Sequence, residues 1–214
     1  MGFRGFPPEA LVFLRDLEAN NDREWFKANK ARHAEHVVAP MQALAGDLAH
    51  LGPPHLFRPY NDTRFHNRPP IKEQQGMVLG HGLGAAWYVE LSLDGLFVAA
   101  GMWRPAPDQV ERFRQAVDDG RRAGALRRAL SAAGKAGLAL GEPDLKRVPR
   151  GWPPDHPCGE LLRHKSVVVS ERHELGEWLH TPACGERIRT QFDAAAPLVR
   201  WLREQVGPSQ RPAR

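Results

Sequence analysis

Two β-rich runs on either side of Asp94-Gly95 constrain the fold of this chain more than any other feature of the sequence. They read WYVELSL before the Asp-Gly pair and LFVAAGMW after it. An Asp-Gly pair between two such runs favours a β-hairpin with a type I′ turn, in which both central residues have positive φ. The sequence therefore predicts an antiparallel hairpin over residues 87–103, at the centre of a sheet.

Apolar and polar side chains alternate along the first of these runs. Successive side chains of a strand point to opposite faces of the sheet. One face is therefore predicted to be apolar, whereas Glu90 is predicted to look out from the other face with Tyr88 beside it. The apolar residues are Trp87, Val89, Leu91 and Leu93.

Helical periodicity dominates both ends of the chain. Pro8 can begin a helix at its first turn, and Asp22 is a typical N-cap for the next helical stretch, in which Pro40 predicts a kink or a break. Residues 184–206 keep an apolar stripe at helical spacing, with a kink predicted at Pro197. Because the strand signals lie between these helices, the predicted fold class is α+β with a central antiparallel sheet.

The region after the hairpin mixes helices with a strand. A helix is predicted over residues 107–120, with Val110, Phe113 and Val117 facing the core, and a second amphipathic helix over residues 121–133. The later run SVVVS is rich in β-branched residues and is typical of a strand.

Composition favours one globular domain. The 214 residues are 42% hydrophobic and 26% charged, which is enough apolar content for one sizeable core. We predict a single domain over residues 1–206. Residues 207–214 follow the last helical pattern and are predicted to be a disordered tail.

The charge balance is basic, with a formal net charge of +5. The chain is also rich in arginine, alanine, glycine and proline, as proteins of GC-rich bacterial genomes are, so its basicity is a weak sign of nucleic-acid binding. Two cysteines are too few for a disulfide framework, and no N-terminal apolar run has the length of a signal peptide or membrane span. These features predict a soluble cytoplasmic protein without a membrane partner.

Charged and aromatic side chains are concentrated in residues 57–72, which read FRPYNDTRFHNRPPIK. Three prolines fix φ and remove backbone donors there, so the segment is unsuited to a helix or a central strand. We predict an ordered loop that carries the chemistry of the chain. Its ionisable residues include Arg58, Asp62, Arg64, His66, Arg68 and Lys72.

Four segments together resemble the bacterial and fungal conserved hypothetical proteins called domain of unknown function 2461. They are GFPPEALVFLRDLEANNDREWFKANK near the start, NDTRF with the later Lys72, the hairpin, and KRVPRGWPPDHPCGELLRHKS. The resemblance runs from about Gly5 to about Leu202 and implies an α+β fold. Since that family has no characterised activity, the resemblance implies candidate positions and no reaction.

The polar loop departs from the pattern of that family at several positions. The family usually has Arg-Asp-x-Arg-Phe-Ser, followed by Asp-Lys and Pro-Tyr-Lys. Here Asn61 stands for the first arginine, His66 for the serine and Ile71 for the tyrosine, and the intervening aspartate is missing. If the missing groups take part in catalysis, this chain binds a ligand without turning it over. The matching residues are Asp62, Arg64, Phe65, Pro70 and Lys72.

The matched basic residues suggest an anion site. Guanidinium and ammonium groups bind carboxylate or phosphate oxygens, so we predict a basic pocket for an anionic small molecule. Asp62 could orient Arg64, and the alternative is a structural ion pair that fixes the loop. The predicted ligand-binding residues, which we expect to lie together, are Arg58, Asp62, Arg64, Lys72, Arg147, His156 and Lys165.

The sequence leaves open whether the chain is an enzyme. Asp62, Glu90 and His156 are the candidates for acid–base chemistry on an anionic substrate. A histidine before a proline is often a turn residue, and this is the alternative interpretation of His156. Binding of a nucleic-acid backbone by the basic residues is a further alternative.

The motifs predict neither a metal nor a cofactor. Cys158 and Cys184 each follow a histidine closely, but the chain has no paired CxxC motif. The GHGLG run at residues 80–84 precedes a strand, whereas a dinucleotide-binding loop follows one.

Overall fold

A computed structural model describes residues 2–62 and 68–210 and contains six strands. The strands are β1 Pro54–Leu56, β2 Gln74–Leu79, β3 Ala86–Ser92, β4 Gly95–Met102, β5 Ala139–Leu140 and β6 Val167–His173. They form one antiparallel sheet in the order β1-β2-β3-β4-β6-β5. The hairpin of β3 and β4 lies at its centre and helices lie at both ends of the chain, which confirms the predicted α+β class.

The hairpin turn differs from the predicted type I′ turn. β3 ends at Ser92 and β4 begins at Gly95, so the turn lies one residue earlier than expected. Gly95 has positive φ (128°), whereas Asp94 is not among the described residues with positive φ. A side chain at Gly95 would overlap the carbonyl oxygen of His173. The glycine is therefore required by its own backbone conformation and by the close approach of β6.

The two faces of β3 are both covered, contrary to the prediction for one of them. Trp87, Val89 and Leu91 are buried as expected. Glu90 lies on the opposite face, but only 8% of its surface is exposed, so the prediction that it looks out from the sheet was wrong. Alternation in a sequence assigns a residue to a face and does not show what covers that face.

The helical stretch after Asp22 is divided into several pieces. The Asp22 carboxylate accepts hydrogen bonds from the backbone N–H groups of Glu24 and Trp25, both at 2.8 Å, which confirms the predicted N-cap. A π-helical turn over Ala34–Val38 ends two residues before Pro40. Since proline lacks a backbone donor, this wider turn absorbs the break that Pro40 predicted.

The helices agree closely with the periodicity of the sequence. Val110 is an exception, because it is half-buried and does not belong to the core as predicted. The α-helices are α1 Pro8–Ala19, α2 Arg23–Ala28, α3 Lys30–His33, α4 Ala39–Asp47, α5 Pro107–Asp118, α6 Gly120–Lys135, α7 Gly159–Leu162 and α8 Ala183–Gln205, and short 3-10 helices span Ala49–Leu51 and Glu177–His180.

The chain forms two compact units, and β3, β4 and β6 contribute residues to both. Unit 1 consists of Met1–Leu79, Tyr88–Val98 and Arg172–Arg189, and unit 2 consists of Gly80–Trp87, Ala99–Glu171 and Thr190–Arg214. The single domain predicted over residues 1–206 stays a prediction.

Aromatic pairs fill the core of unit 2. The rings of Trp87 and Phe192 are 5.0 Å apart, and those of Phe113 and Trp201 are 6.1 Å apart. The indole N–H of Trp201 donates to the carbonyl oxygen of Arg122 at 3.0 Å. These contacts attach α8 to β3, α5 and α6 within this unit.

Residues 207–210 follow α8 and are hydrogen-bonded to α5. Arg112 donates to the carbonyl oxygen of Pro208 at 2.7 Å, and the backbone N–H of Gln210 donates to Asp108 at 2.9 Å. The bond from Gln210 is the main reason why the pKa of Asp108 is lowered to about 2. Residues 211–214 of the predicted tail lie outside the described residues.

None of the helices within residues 2–62 and 68–210 combines the length and the apolar character that a membrane-spanning helix requires.

Buried His33 makes the stability of unit 1 depend on pH. Its ring lies 5.3 Å from that of Phe13 and 5.1 Å from that of Phe26, and burial lowers its pKa to about 4. The unfolded chain binds the proton more tightly, with a histidine pKa of about 6.5. Stability is therefore highest above pH 6.5 and falls as the pH falls towards 4.

We predict that His33 lowers the free energy of unfolding by about 2 kcal/mol between pH 7.5 and pH 5. Urea denaturation at the two pH values measures this change. In His33→Leu the difference between the two pH values should shrink by about this amount. An unchanged difference in the variant would show that His33 is not the responsible group.

Candidate functional site

The loop predicted over residues 57–72 has an ordered base. Tyr60 and Ile71 form an antiparallel bridge. The backbone N–H of Asn61 donates to the carbonyl oxygen of Pro70 at 2.9 Å, and the backbone N–H of Lys72 donates to the carbonyl oxygen of Pro59 at 2.7 Å. The two segments of the loop are therefore hydrogen-bonded to each other on both sides of the bridge. These bonds fix the positions of the side chains near Lys72.

Asn21 supports this base from the end of the first helical segment. Its side chain donates to the carbonyl oxygen of Ile71 at 2.9 Å and accepts from the N–H of Ile71 at 3.0 Å. The same amide donates to Glu73 at 2.7 Å. Ile71 is buried, with 1% of its surface exposed. At this position, which departs from the family pattern, the isoleucine side chain thus contributes to the core of unit 1.

A cleft in unit 1, which we call the Lys72 cleft, opens beside the loop base. Its volume is ≈ 340 Å³. Arg68 and Lys72 contribute two cations to the lining, Glu73 contributes one carboxylate, and Asn61 and Gln74 contribute side-chain amides. The remaining lining residues are Pro69 and Ile71.

The ammonium group of Lys72 contacts neutral groups. It donates to the carbonyl oxygen of Arg58 at 2.9 Å and lies 5.8 Å from the centre of the Phe57 ring. Burial and, secondarily, the positive charge of Arg58 lower its pKa. The positive charge of Lys72 is therefore repelled by that of Arg58. An anion in the cleft would relieve this repulsion.

A second polar group in unit 1, which we call the Glu90 cluster, consists of Gln74, Tyr88, Glu90 and Arg172. Tyr88 Oη and Gln74 Nε2 both donate to Glu90 Oε2 at 2.6 Å. Arg172 Nη2 lies 3.5 Å from Glu90 Oε1. These donors provide the hydrogen bonds that the buried carboxylate would otherwise make with water. Gln74 also lines the Lys72 cleft, so it connects the two features.

Gly76 makes room for the ring of Tyr88. A Cβ atom at this position would lie 2.6 Å from Tyr88 Oη, which is too close for real atoms. Burial raises the pKa of Tyr88, and the hydrogen bond to Glu90 raises it further. The phenol therefore keeps its proton and acts as a donor to the carboxylate.

Aromatic rings line the sheet beside the Glu90 cluster. Phe57 and Phe97 lie on either side of Tyr88, each with its ring centre 6.1 Å from that of Tyr88. The guanidinium of Arg172 lies 4.9 Å from the centre of the Phe97 ring and donates to Ser92 at 3.3 Å. Arg172 is thus held by a carboxylate, a hydroxyl and an aromatic ring.

The predicted ligand-binding residues are divided between the two units. Arg58, Asp62 and Lys72 belong to unit 1, where Arg58 and Lys72 are in direct contact. Arg64 and His66 lie outside the described residues. The expectation that all the candidates form one site stays a prediction. The members in unit 2 are Arg147, His156 and Lys165.

His156 makes a hydrogen bond with each of its ring nitrogens. The backbone N–H of Cys158 donates to His156 Nδ1 at 3.1 Å. The proton must therefore be on Nε2, which lies 2.9 Å from Asp118 Oδ1 and donates to it. This pair ties the segment before α7 to the end of α5 within unit 2. The arrangement positions the segment; a role of His156 in proton transfer stays a prediction.

Gln74 and Arg172 were not predicted from the sequence as members of a site. Arg172 follows the β-branched run in β6. Because successive side chains of a strand alternate between its two faces, the sequence places Arg172 on one face of β6. Its carboxylate partner is on β3, and β4 lies between the two strands. No local signal specifies this strand order, so no sequence pattern pairs Arg172 with Glu90.

No metal centre was found in the part of the chain that the structure describes. Among the described residues, no group of three or more histidine, cysteine, aspartate or glutamate side chains is placed to hold a metal ion. Burial raises the pKa of the Cys184 thiol to about 12, so this cysteine is a poor metal ligand at neutral pH.

Comparison with known families matches residues 9–201 to the family described as "Conserved hypothetical protein (DUF2461)". The match covers most of the chain and confirms the resemblance seen in the sequence. Neither the curated proteins nor the solved structures contain a match.

We predict that Tyr88→Phe lowers the free energy of unfolding by about 1–3 kcal/mol, because a buried carboxylate loses a charge-assisted hydrogen bond. Urea denaturation at neutral pH measures the change. Tyr60→Phe is the matched control, since Tyr60 is 44% exposed and loss of an exposed hydroxyl has little effect. Equal stabilities of the two variants would contradict the assigned role of Tyr88.

Proposed function

This chain belongs to the DUF2461 family of conserved hypothetical proteins, and we propose that it binds an anionic ligand in the Lys72 cleft. The ligand carries carboxylate or phosphate oxygens. The observation that supports this proposal is the contact of the Lys72 ammonium with Arg58 and Phe57, whose contacting groups are uncharged.

The charges of the cleft favour an anion. Among the described residues of the lining, Arg68 and Lys72 oppose the carboxylate of Glu73, and that carboxylate already accepts a hydrogen bond from Asn21. Arg58 adds a further positive charge that lowers the pKa of Lys72. A ligand with one or more negative charges would restore neutrality and would raise the pKa of Lys72 again.

The shape and donors of the cleft favour a small ligand. A volume of ≈ 340 Å³ is at the lower end of the range for small-molecule sites. The guanidinium of Arg68 can bind two oxygens of one carboxylate or phosphate group, whereas Lys72 acts as a point charge. The amide of Gln74 is held by Glu90, so this wall of the cleft is preorganised.

An enzyme is the second candidate, and the Glu90 cluster favours it. Tyr88 and Glu90 share a hydrogen bond of 2.6 Å and Gln74 extends from this pair to the wall of the cleft. A buried acid–base pair beside an anion site is a common arrangement for proton transfer. In this reading Glu90 accepts a proton from the bound anion, with Asp62 and His156 as the other candidates.

We predict that Lys72→Met weakens the binding of a small anion tenfold to a hundredfold, because one charge-assisted hydrogen bond contributes about 1.5–3 kcal/mol. Methionine keeps the apolar stem beside Phe57 and removes the charge. Calorimetric titration with pyrophosphate and with citrate, at constant ionic strength, measures the affinity. The melting temperature without ligand should stay level or rise, since repulsion with Arg58 is removed.

The matched control is Lys27→Met, which removes an exposed lysine of α2 in the same unit and should leave both affinities unchanged. Failure of the unmodified protein to bind either anion would refute the proposal. A large loss of melting temperature in Lys72→Met without ligand would indicate a structural role instead. Tight binding of a single-stranded oligonucleotide, weakening steeply with salt, would favour the nucleic-acid alternative.

A further inference from the structure

Unit 2 contains a second cleft, which we call the Trp152 cleft and which is larger than the Lys72 cleft. Its volume is ≈ 570 Å³. One wall is a single face of α5, formed by Pro107, Val110, Glu111 and Arg114. These residues have the spacing i, i+3, i+4 and i+7 and therefore lie on one side of the helix.

Apolar surfaces form most of the lining. Trp152 faces the cleft together with Pro105 and the two apolar residues of α5, Pro107 and Val110. Val110 was predicted to lie in the core, but it is half-buried. Its position in the lining of the Trp152 cleft explains this exposure. An indole, two prolines and an aliphatic side chain in one lining form a suitable site for a flat aromatic ring.

Two cations in the lining face one carboxylate. Arg114 and Lys165 are positively charged, and Glu111 is negatively charged. The Nε–H of Arg114 is buried and has no hydrogen-bond partner among the described residues. Burial lowers its pKa. A buried donor without a partner is uncommon in folded proteins, and in Arg114 it leaves the terminal nitrogens of the guanidinium as the groups that can bind a ligand oxygen.

The side of the cleft that carries Lys165 is held in place by its backbone. Asp144 accepts hydrogen bonds from the N–H groups of Lys165 and Ser166, at 2.6 and 3.0 Å. Although partial burial opposes it, these bonds lower the pKa of Asp144. Ser166 in turn accepts from the N–H of Arg104 at 3.3 Å. Lys165 thus extends from a fixed backbone, and its side chain is exposed.

The backbone next to Pro105 is strained. Arg104 has positive φ (48°), as no other non-glycine residue among those described does. Its guanidinium lies 4.4 Å from the centre of the Trp103 ring, and 69% of the surface of Trp103 is exposed. Strained residues persist where the surrounding structure holds them, often beside binding sites. The segment after Trp152 is fixed too, through the bond of His156 to Asp118.

From this lining we propose that the Trp152 cleft binds an aromatic carboxylate, with its ring against Trp152 and its carboxylate between Arg114 and Lys165. The two cations and one carboxylate of the lining leave one positive charge, which a monoanion neutralises. This site is additional to the function proposed for unit 1, and it shares none of its lining residues with the Lys72 cleft.

Calorimetric titration with 2-naphthoate tests the proposal. The unmodified protein should bind it saturably, and the neutral isostere 2-naphthamide should bind at least tenfold more weakly, because it forms no charge-assisted hydrogen bonds. Lys165→Gln should weaken 2-naphthoate binding about tenfold without loss of stability, since this side chain is exposed. Glu111→Gln should strengthen binding, because it removes a repulsive charge.

Trp152→Leu should weaken the binding of both naphthyl probes, since it removes the aromatic surface that they share. The matched control for charge is Arg128→Gln, which removes an exposed arginine of α6 and should leave the affinity unchanged. Lys72→Met should also leave it unchanged, so the two proposed sites can fail independently. Absence of saturable binding, equal affinity for the two probes, or an unchanged affinity in Lys165→Gln would each overturn the proposal.

Discussion

The carboxylate of Glu90 is buried, and the polar face of unit 1 depends on satisfying its oxygens with hydrogen bonds. A buried charge is costly unless hydrogen bonds replace its water. The donors come from three different strands, with Gln74 on β2, Tyr88 on β3 and Arg172 on β6. They can converge because β2, β3, β4 and β6 are consecutive in the sheet. Gly76 is part of the same requirement, because any larger residue would displace the ring of Tyr88.

The hydrogen bonds that satisfy Glu90 also shape the neighbouring Lys72 cleft. Gln74 belongs to both features, so its amide cannot rotate freely towards solvent. On the other side, Asn21 fixes the backbone at Ile71 and engages Glu73. Glu73, the one acidic residue among the described residues of the cleft lining, is thereby occupied, while the positive charge of Arg58 acts on Lys72 and contributes to lowering its pKa. The excess positive charge persists because these hydrogen bonds hold the side chains in place. In a flexible loop, the acidic and basic groups could pair.

The two clefts have the same balance of charges and different walls. Among the described residues, each lining contains two cations and one carboxylate. Two side-chain amides, one proline and Ile71 accompany the charges in the Lys72 cleft, whereas an indole, two prolines and a valine accompany them in the Trp152 cleft. In the two proposals, electrostatics selects the sign of the ligand and the wall selects its shape. A small polar anion is proposed for the first cleft, and an aromatic anion for the second.

Local sequence determined the hairpin, the terminal helices, the N-cap at Asp22 and the disruption near Pro40, because backbone preferences and side-chain periodicity act over a few residues. It also indicated that Arg58 and Lys72 share a loop. Only the tertiary structure decided that Glu90 is covered, that Arg172 reaches it from β6, and that Val110 lines a cleft with Trp152. These facts depend on strand order and on packing between segments far apart in the chain, which a local pattern does not encode.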